Sequence, residues 1–224
     1  MVDHIQNISL PEEQKLAALY QICLNTGAAG QDASKQYHDP KLLGHIYALP
    51  YAIFEEQNCL VWYRNQHIKG YCVAAPDTLS FLNKLELNWW PELRRSYQPL
   101  LEAGQLDNWS RAEQDLLERS IMRPRAELSA APPYFCDYPS HLHINLLSEC
   151  QRQGAGTALI LAQLDLLRRS GSSGVHLGVS KENFRALRFY HRLGFTALAG
   201  RESGDSYLLG MRLGDVRKDM KAKG

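Results

Sequence analysis

The sequence lacks the features that mark several large classes of protein. Its 224 residues carry a formal net charge of only +1, so no overall field favours nucleic acid or a membrane surface. The five cysteines are scattered, and the sequence contains no CxxC pair that would indicate a structural metal site. We therefore expect buried thiols in a reducing compartment, with no metal, no nucleic-acid partner and no membrane partner.

Long hydrophobic runs and targeting signals are missing as well. The apolar segment TALILAQLDLL is too short to cross a bilayer, and it contains Gln163 and Asp165. The first residues do not show the charged-then-apolar pattern of a signal peptide. These absences favour a soluble, cytoplasmic protein. The composition, with 45% hydrophobic and 22% charged residues, is ordinary for a globular chain of this size.

The first third of the chain predicts two helices and a hairpin. A helix opens at Pro11 and runs through EEQKLAALYQICL, because a proline and acidic residues suit a first helical turn. A second helix covers PKLLGHIYAL and stops before Pro50. The segments CLVWYR and IKGYCVAA are rich in β-forming residues and flank a polar turn at Asn65 and Gln66, which predicts a β-hairpin.

The character of the chain changes between Pro76 and Pro139. The segments NWWPELRRSY and SRAEQDLLERSIM have helical patterns, and Ser110 with Glu113 has the form of a capping box. We interpret residues of about 76–139 as a mostly helical insertion. It would belong to one domain over residues 1–213, followed by a polar tail at 214–224.

From His141 onward the pattern becomes strand, corner, helix, strand, helix, strand. HLHINLL, VHLGVS and SYLLGMRL indicate strands, whereas TALILAQLDLLRR and ENFRALRFYHRLGF indicate helices with apolar residues at helical spacing. The alternation predicts an α/β (α+β) fold in which helices flank a central sheet.

The segment QRQGAG, residues 151–156, joins the first of these strands to the first helix. The first backbone N–H groups of a helix have no internal partner and carry partial positive charge, and glycine lets a ligand come close to them. Thr157, Ala158 and Leu159 are neutral, whereas an acid there would repel an anion. The corner is therefore a candidate anion site. The alternative is a glycine turn that only redirects the chain.

Two common phosphate motifs do not fit this corner. No Gly-Lys-Ser/Thr follows at the spacing of a P-loop. A dinucleotide fingerprint would need a small residue at Leu159, after Gly154 and Gly156. The strand also lies two-thirds along the chain rather than at its start. These mismatches argue against a P-loop NTPase and a nicotinamide-dependent oxidoreductase.

A second motif helps to interpret the corner. QRQGAG has the form (Gln/Arg)-x-x-Gly-x-(Gly/Ala), and NFRALRFYHRLGF follows about thirty residues later. Together they resemble the acetyl-CoA-binding core of the GNAT N-acetyltransferase superfamily over residues of about 141–213. The segments TGAAGQDAS, LLGHIYALPY, WWPELR and YPSHLHI further resemble bacterial acetyltransferases similar to the C-terminal acetyltransferase-like domain of eukaryotic O-GlcNAcase.

This resemblance implies a GNAT fold with a mixed, mostly antiparallel sheet, and acetyl-CoA as co-substrate. The acceptor would be a primary amine, on a small molecule or a peptide, that attacks the thioester directly, with the helical insertion covering its side of the cleft. No protein nucleophile is then required. The alternative is a catalytically inactive acetyl-CoA-binding module, because domains of the O-GlcNAcase type include pseudo-enzymes. The acceptor's identity and the oligomeric state stay open.

The resemblance also implies which residues contact the co-substrate. Backbone N–H groups of the corner would hold the diphosphate, main-chain groups at the strand end would bind the pantetheine arm and polarise the thioester carbonyl, and the last helix would line the groove. The predicted contacts are Gln151, Arg152, Gln153, Gly154, Ala155, Gly156 and Thr157 in the corner, Leu146 and Leu147 in the strand, and Asn183, Ala186 and Phe189 in the helix.

Tyr190 matches the tyrosine that protonates the departing thiolate in many members of the family. A phenol with a pKa of about 10 can donate a proton to a thiolate whose acid has a comparable pKa. The alternative is that Tyr190 only packs, because it lies on the apolar stripe of its predicted helix.

The motifs leave the general base open. His141 and His143 alternate with apolar residues and so project from the same face of a strand, and a histidine pKa of about 6.5 suits a base at neutral pH. We take His143 as the catalytic candidate, with Asp32 and Asp137 as rival candidates for the base, and we expect His141, Asp32 and Asp137 near the acceptor. The alternative is that both histidines are hydrogen-bonded core groups. A metal site at the pair would lack a third ligand.

Overall fold

The computed structural model describes residues 3–8, 13–123, 132–203 and 206–214. Its strands are β1 (Asp3–Asn7), β2 (Cys59–Arg64), β3 (His67–Ala75), β4 (Ser140–Leu146), β5 (Gly174–Ser180), β6 (Thr196–Ser203) and β7 (Ser206–Arg212). They form a seven-stranded sheet in the order β1-β2-β3-β4-β5-β7-β6. Every neighbouring pair is antiparallel except β4 and β5. The predicted mixed, mostly antiparallel sheet is confirmed.

Helices cover both faces of this sheet. They are α1 (Glu13–Thr26), α2 (Leu42–Tyr47), α3 (Leu49–Phe54), α4 (Thr78–Asn88), α5 (Trp90–Glu102), α6 (Arg111–Leu117), α7 (Ala155–Arg169) and α8 (Phe184–Arg192). Helices α1 to α6 contribute to one cluster of buried residues, on what we call the front face, and α7 and α8 contribute to a second cluster on the back face. Side chains of β3 alternate between them: Tyr71 and Val73 point to the front, and Cys72 points to the back.

Several predicted elements have the expected form. The hairpin of β2 and β3 turns at Asn65 and Gln66, whose φ angles of 50° and 64° are those of the tight turns that match strand twist. Ser110 caps α6, since its Oγ accepts from the Glu113 N–H at 3.2 Å. The Glu113 carboxylate, however, bonds to the distant residues His38 and Asp39, so only half of the predicted capping box forms.

The structure corrects the prediction around Pro50. Helix α2 ends at Tyr47, but a further helix, α3, begins at once at Leu49, and Pro50 lies in its first turn. A proline costs nothing there, because the N–H that it lacks would have had no helical partner.

Two strands were not predicted from the sequence. The polar edge strand β1 pairs with β2 along its whole length, and β6 pairs with β7. Neither segment has a strong alternating pattern, so tertiary pairing decides their conformation. Pro11 and residues 215–224 of the predicted polar tail lie outside the described residues.

A gap opens between β4 and β5. Their ladder contains only the pairs Ser140↔Val175 and His141↔His176, whereas β3 pairs with β4 as far as Leu146. The part of β4 beyond His141 therefore has a free edge on the side of β5, within the described strands. This free edge leads directly to the glycine-containing corner.

Candidate active site

The corner between β4 and α7 presents helix N–H groups to open space. Gly154 precedes α7 with a φ of 87°, and a Cβ built on it would meet no atom within 4 Å. Arg152 also has a positive φ, 61°. The first turn of α7 contains no acidic residue, and no side chain caps it. The N–H groups of Ala155, Gly156 and Thr157 are therefore oriented toward open space, as an anion requires.

Gly156 serves close packing instead. A Cβ on Gly156 would lie 3.3 Å from Leu146 Cδ1 and 3.4 Å from Phe189 Cζ. The missing side chain therefore lets the start of α7 approach both β4 and α8. This approach brings the three predicted contact segments, the corner, the strand end and α8, to one place.

Side chains of the corner hold the loop in shape. Arg64 donates to Gln153 Oε1 at 2.8 Å and to the Glu149 carbonyl at 2.8 Å, and it is also paired with Asp3. Gln151 Nε2 donates to the Leu146 carbonyl at 2.7 Å. Because the side chains of both glutamines are engaged within the protein, the corner offers a ligand its backbone and the exposed residue Arg152.

The free edge of β4 offers further backbone donors. The Leu147 N–H donates to the Lys69 carbonyl at 2.9 Å, across the β3–β4 ladder. Bonded and non-bonded pairs alternate along an antiparallel ladder, so the N–H groups of Ile144 and Leu146 point away from β3 and into the gap. Of the two predicted main-chain donors, Leu146 therefore faces the gap, and Leu147 is bonded to β3.

Helix α8 packs on the back face, close to the start of α7. Asn183 caps it, with Oδ1 accepting from the Ala186 N–H at 3.0 Å. Ala186 and Phe189 are partly buried against the back cluster. Tyr190 is buried, its ring lying 5.3 Å from that of Phe189 and 5.5 Å from that of Phe195. Burial raises the pKa of Tyr190 above its ordinary value, so the phenol stays protonated at neutral pH.

Two of the three front-face histidines near the gap have bonded ring nitrogens. Thr78 Oγ1 donates to the Pro139 carbonyl at 2.6 Å, so it must accept from His141 Nδ1 at 2.9 Å. His141 Nε2 is then left to accept from the Tyr51 hydroxyl at 2.7 Å. His176 Nδ1 lies 2.8 Å from the Tyr138 carbonyl. The contacts of His141 correspond to the alternative of a hydrogen-bonded core histidine.

His143 differs from both. Its ring stacks on Tyr47 at a centroid distance of 5.1 Å, and among the described residues neither ring nitrogen has a hydrogen-bond partner. Burial lowers the pKa of His143 to about 4, well below the value of about 6.5 assumed from the sequence. The ring is therefore neutral at pH 7, with its nitrogens available to a ligand or to water.

The two aspartates lie far apart. Asp32 borders a cleft of about 320 Å³ that also includes Gly30, Leu147 and Glu149, and two hydrogen bonds from Ser34 lower the pKa of its carboxyl group. Asp137 pairs with Arg212 at 2.7 Å, before the start of β4 and about 20 Å of strand away from Leu146. The structure brings Asp32 close to the strand end and leaves Asp137 at the opposite end of the sheet.

Sequence reasoning missed several residues around the gap. Tyr47, Tyr51 and Thr78 reach β4 from helices that lie more than sixty residues earlier in the chain, and no local pattern indicates such contacts. Gly178 is exposed within an otherwise mostly buried strand, and a Cβ on it would meet nothing within 4 Å. A glycine inside a predicted strand is a signal of close approach that could have identified it.

Within the described part of the chain, no helix is both long and apolar enough to span a membrane. The same residues contain no group of three or more side chains arranged to hold a metal ion.

Comparisons with known proteins give a matching family model and similar solved structures. The model of the acetyltransferase (GNAT) family matches residues 126–195. The solved structure "Crystal structure of SsHAT" is 27% identical, with a TM-score of 0.78 over 94% of this chain and 98% of that chain. The structure of yncA, a putative acetyltransferase from Salmonella typhimurium with its cofactor acetyl-CoA, is 15% identical, with a TM-score of 0.51 over 94% of each chain. This last similarity shows the fold alone.

A curated relative matches over most of the chain. Protein O-GlcNAcase from Rattus norvegicus is 22% identical over 205 residues, which is 88% of this chain. The chain spans only 21% of the length of that relative. The similarity therefore concerns one part of a much larger protein.

Proposed function

The chain is a GNAT-family, acetyl-CoA-dependent acyltransferase, and we propose that it transfers the acetyl group to a primary amine by direct attack on the thioester. The observation that carries this proposal is that three features occur together: the open corner at Gly154, the free edge of β4, and His143 with its unbonded ring nitrogens. A long, thin ligand with an anionic group at one end and a reactive carbonyl at the other suits this arrangement.

The residues fit the two ends of acetyl-CoA. The N–H groups of Ala155, Gly156 and Thr157 would hold the diphosphate, and Gly154 leaves the space that it needs. The N–H group of Leu146 would donate to the thioester carbonyl, whose oxygen gains negative charge as the amine attacks. Bound acetyl-CoA supplies the activated acetyl group.

Tyr190 and His143 are the proposed proton-transfer groups. Tyr190 is protonated at neutral pH and belongs to the back-face cluster that also contains Cys72 of β3 and Leu142 of β4. It would donate a proton to the departing thiolate. His143 faces the front and is neutral, so it would accept a hydrogen bond from the attacking amine or from a water molecule that carries the proton away.

The segment of residues 76–139 has a part in this proposal. Its helices α4, α5 and α6 bury Phe81, Trp90, Tyr97 and Leu117 against the front face. We propose that this segment is an insertion within a single acetyltransferase domain, and that it forms one wall of the acceptor cleft.

The test is release of free thiol from acetyl-CoA in the presence of a panel of primary amines. The proposal expects thiol release that depends on the amine, with an N-acetylated product of matching amount by mass spectrometry. Calorimetric binding of CoA is measured alongside. CoA binding without turnover on any amine, peptides with free N-termini and lysines included, would instead identify an inactive acetyl-CoA-binding module.

A further inference from the structure

The side chain of Arg185 crosses the end of the gap between β4 and β5. Arg185 lies in the first turn of α8, which follows β5. Its guanidinium Nη2 is 3.3 Å from the position that a Cβ on Gly30 would occupy, and Gly30 belongs to the loop after α1. Gly30 also borders the cleft that includes Leu147, the residue after β4. The arginine therefore reaches from the helix that follows β5 to a loop beside the end of β4.

Further contacts connect this crossing to the glycine-containing corner. Arg185 is one helical turn before Phe189 and therefore shares its face of α8. The Cζ atom of Phe189 lies 3.4 Å from the Cβ position of Gly156, in the first turn of α7. At the other end, the Gly30 carbonyl accepts a hydrogen bond from Gln151 Nε2 at 3.4 Å. Both ends of the Arg185 side chain thus adjoin segments that contact the corner, whose helix N–H groups are open to an anion.

The guanidinium of Arg185 has no polar partner within the described part of the chain. It is exposed, and no carboxylate oxygen of those residues lies within 4.0 Å of it. Two carboxylates border the cleft beside it, but both are engaged elsewhere. Asp32 accepts two hydrogen bonds from Ser34, and Glu149 pairs with Lys69 at 2.8 Å. The N–H groups of Arg185 are therefore available to an anionic ligand.

Resting on the proposed function, we propose that Arg185 binds a phosphate group of the co-substrate and closes the end of the gap over it. A planar guanidinium with free N–H groups can pair with a phosphate through two parallel hydrogen bonds. CoA carries a diphosphate and a separate phosphate on its ribose, and both are sources of this chemistry. Arg185 then adds a side-chain contact from α8 to the backbone contacts that the corner supplies.

The experiment measures CoA binding by calorimetry, in 0.05 M and in 0.5 M NaCl. The proteins are the wild type, Arg185→Gln, Arg185→Lys and the control Arg192→Gln, whose arginine is also exposed but lies in the last turn of the same helix. Dephospho-CoA, which lacks only the ribose phosphate, is measured in parallel. The midpoint of urea unfolding shows that each variant is folded.

Arg185→Gln should weaken CoA binding by about tenfold at low salt, as expected for the loss of a charge-assisted hydrogen bond. The loss should shrink at high salt, because dissolved ions screen the attraction between exposed charges. Arg185→Lys should recover part of the affinity, and Arg192→Gln should bind like the wild type. A loss that persists with dephospho-CoA would assign the diphosphate as the partner, and a loss that disappears would assign the ribose phosphate.

Undiminished CoA affinity in Arg185→Gln, the same loss at both salt concentrations, or an equal loss in Arg192→Gln would overturn the inference. Calorimetry needs no acceptor, so the result is independent of turnover. CoA binding that depends on Arg185, without turnover on any amine, would support this site and contradict the proposed transfer. Turnover with full CoA affinity in Arg185→Gln would overturn the Arg185 site alone, and a wild type that does not bind CoA would overturn both.

Discussion

Both faces of the sheet bury an apolar cluster, but the front face adds several long-range polar contacts. On the back face, α7 and α8 pack through apolar residues at helical spacing, and the distance between helix and strand is set by Gly156. On the front face, polar side chains connect segments far apart in the chain: Glu113 to His38, Tyr97 to Asp39, and Tyr51 to His141. The helices of the back face come from one stretch of the chain, whereas the polar contacts of the front face join segments that are far apart in the sequence.

This difference agrees with our proposal that the back face binds the co-substrate and that the front face binds the acceptor. A co-substrate shared by a whole family needs a binding site that stays the same from one member to the next. Backbone N–H groups beside glycines provide such a site without special side chains. An acceptor needs side chains that distinguish it from other amines, and in our proposal these come from helices α4 to α6 of the front face. The following predictions test the contrast, in order of decreasing effect.

The largest effect is expected at Gly154 on the co-substrate side. Gly154→Glu places a negative side chain in the open space before α7 and should abolish CoA binding, measured by calorimetry. The matched control is Gly171→Glu, because Gly171 has a φ of 84° and equally open space around its Cβ, at the other end of α7. Both variants carry the same backbone strain, so undiminished CoA affinity in a folded Gly154→Glu would refute the placement of the diphosphate.

Tyr190→Phe should slow turnover and spare binding. The ring keeps its packing against Phe189 and Phe195, and only the hydroxyl is lost. We expect a fall in kcat of about 10²–10⁴-fold with little change in CoA affinity, as is typical for loss of a general acid. Tyr207→Phe, on the same face, is the control. Turnover at the wild-type rate would assign the proton to water or another group.

Removal of the Glu113 carboxylate should destabilise the packing of the front face. Its oxygens accept from the backbone N–H groups of His38 and Asp39 at 2.9 and 3.0 Å, and its side chain is fully buried. Glu113→Ala should lower the free energy of unfolding by about 1–3 kcal/mol in urea, because partly buried donors lose their partner. Glu118→Ala, at an exposed position, should change it by less than about 0.5 kcal/mol. Equal losses in the two variants would contradict the network.

The last prediction, whose effect develops gradually with pH, concerns His143. Since burial lowers its pKa to about 4, the unfolded chain binds a proton at this residue below about pH 6.5, where the folded chain does not. Stability from the neutral ring is present above that pH and is lost as the pH falls toward 4. The slope contributed is at most about 1.36 kcal/mol per pH unit. His143→Gln should reduce the slope of unfolding free energy between pH 6.5 and 4.5, and an unchanged slope would show that His143 is solvated.

The back face could be predicted in some detail from the sequence, because its signals are local. The corner QRQGAG, the neutral first turn of α7 and the stripe of Ala186, Phe189 and Tyr190 all lie within about forty residues. Helical periodicity, the rules for helix ends and the lack of a Cβ in glycine suffice to interpret them. The structure confirms the strand, the corner and both helices, while the roles of their residues stay predictions.

The front face depended on the tertiary structure. Sequence alone could place His141 and His143 on one face of a strand, but not distinguish them, because the difference lies in partners from other segments. Tyr51 and Thr78 occupy the nitrogens of His141, whereas Tyr47 only stacks on His143 and leaves its nitrogens unbonded. In the same way, the open space around Gly178 arises from how distant elements pack. Local sequence determines which face a side chain occupies, and only the folded chain determines what it meets there.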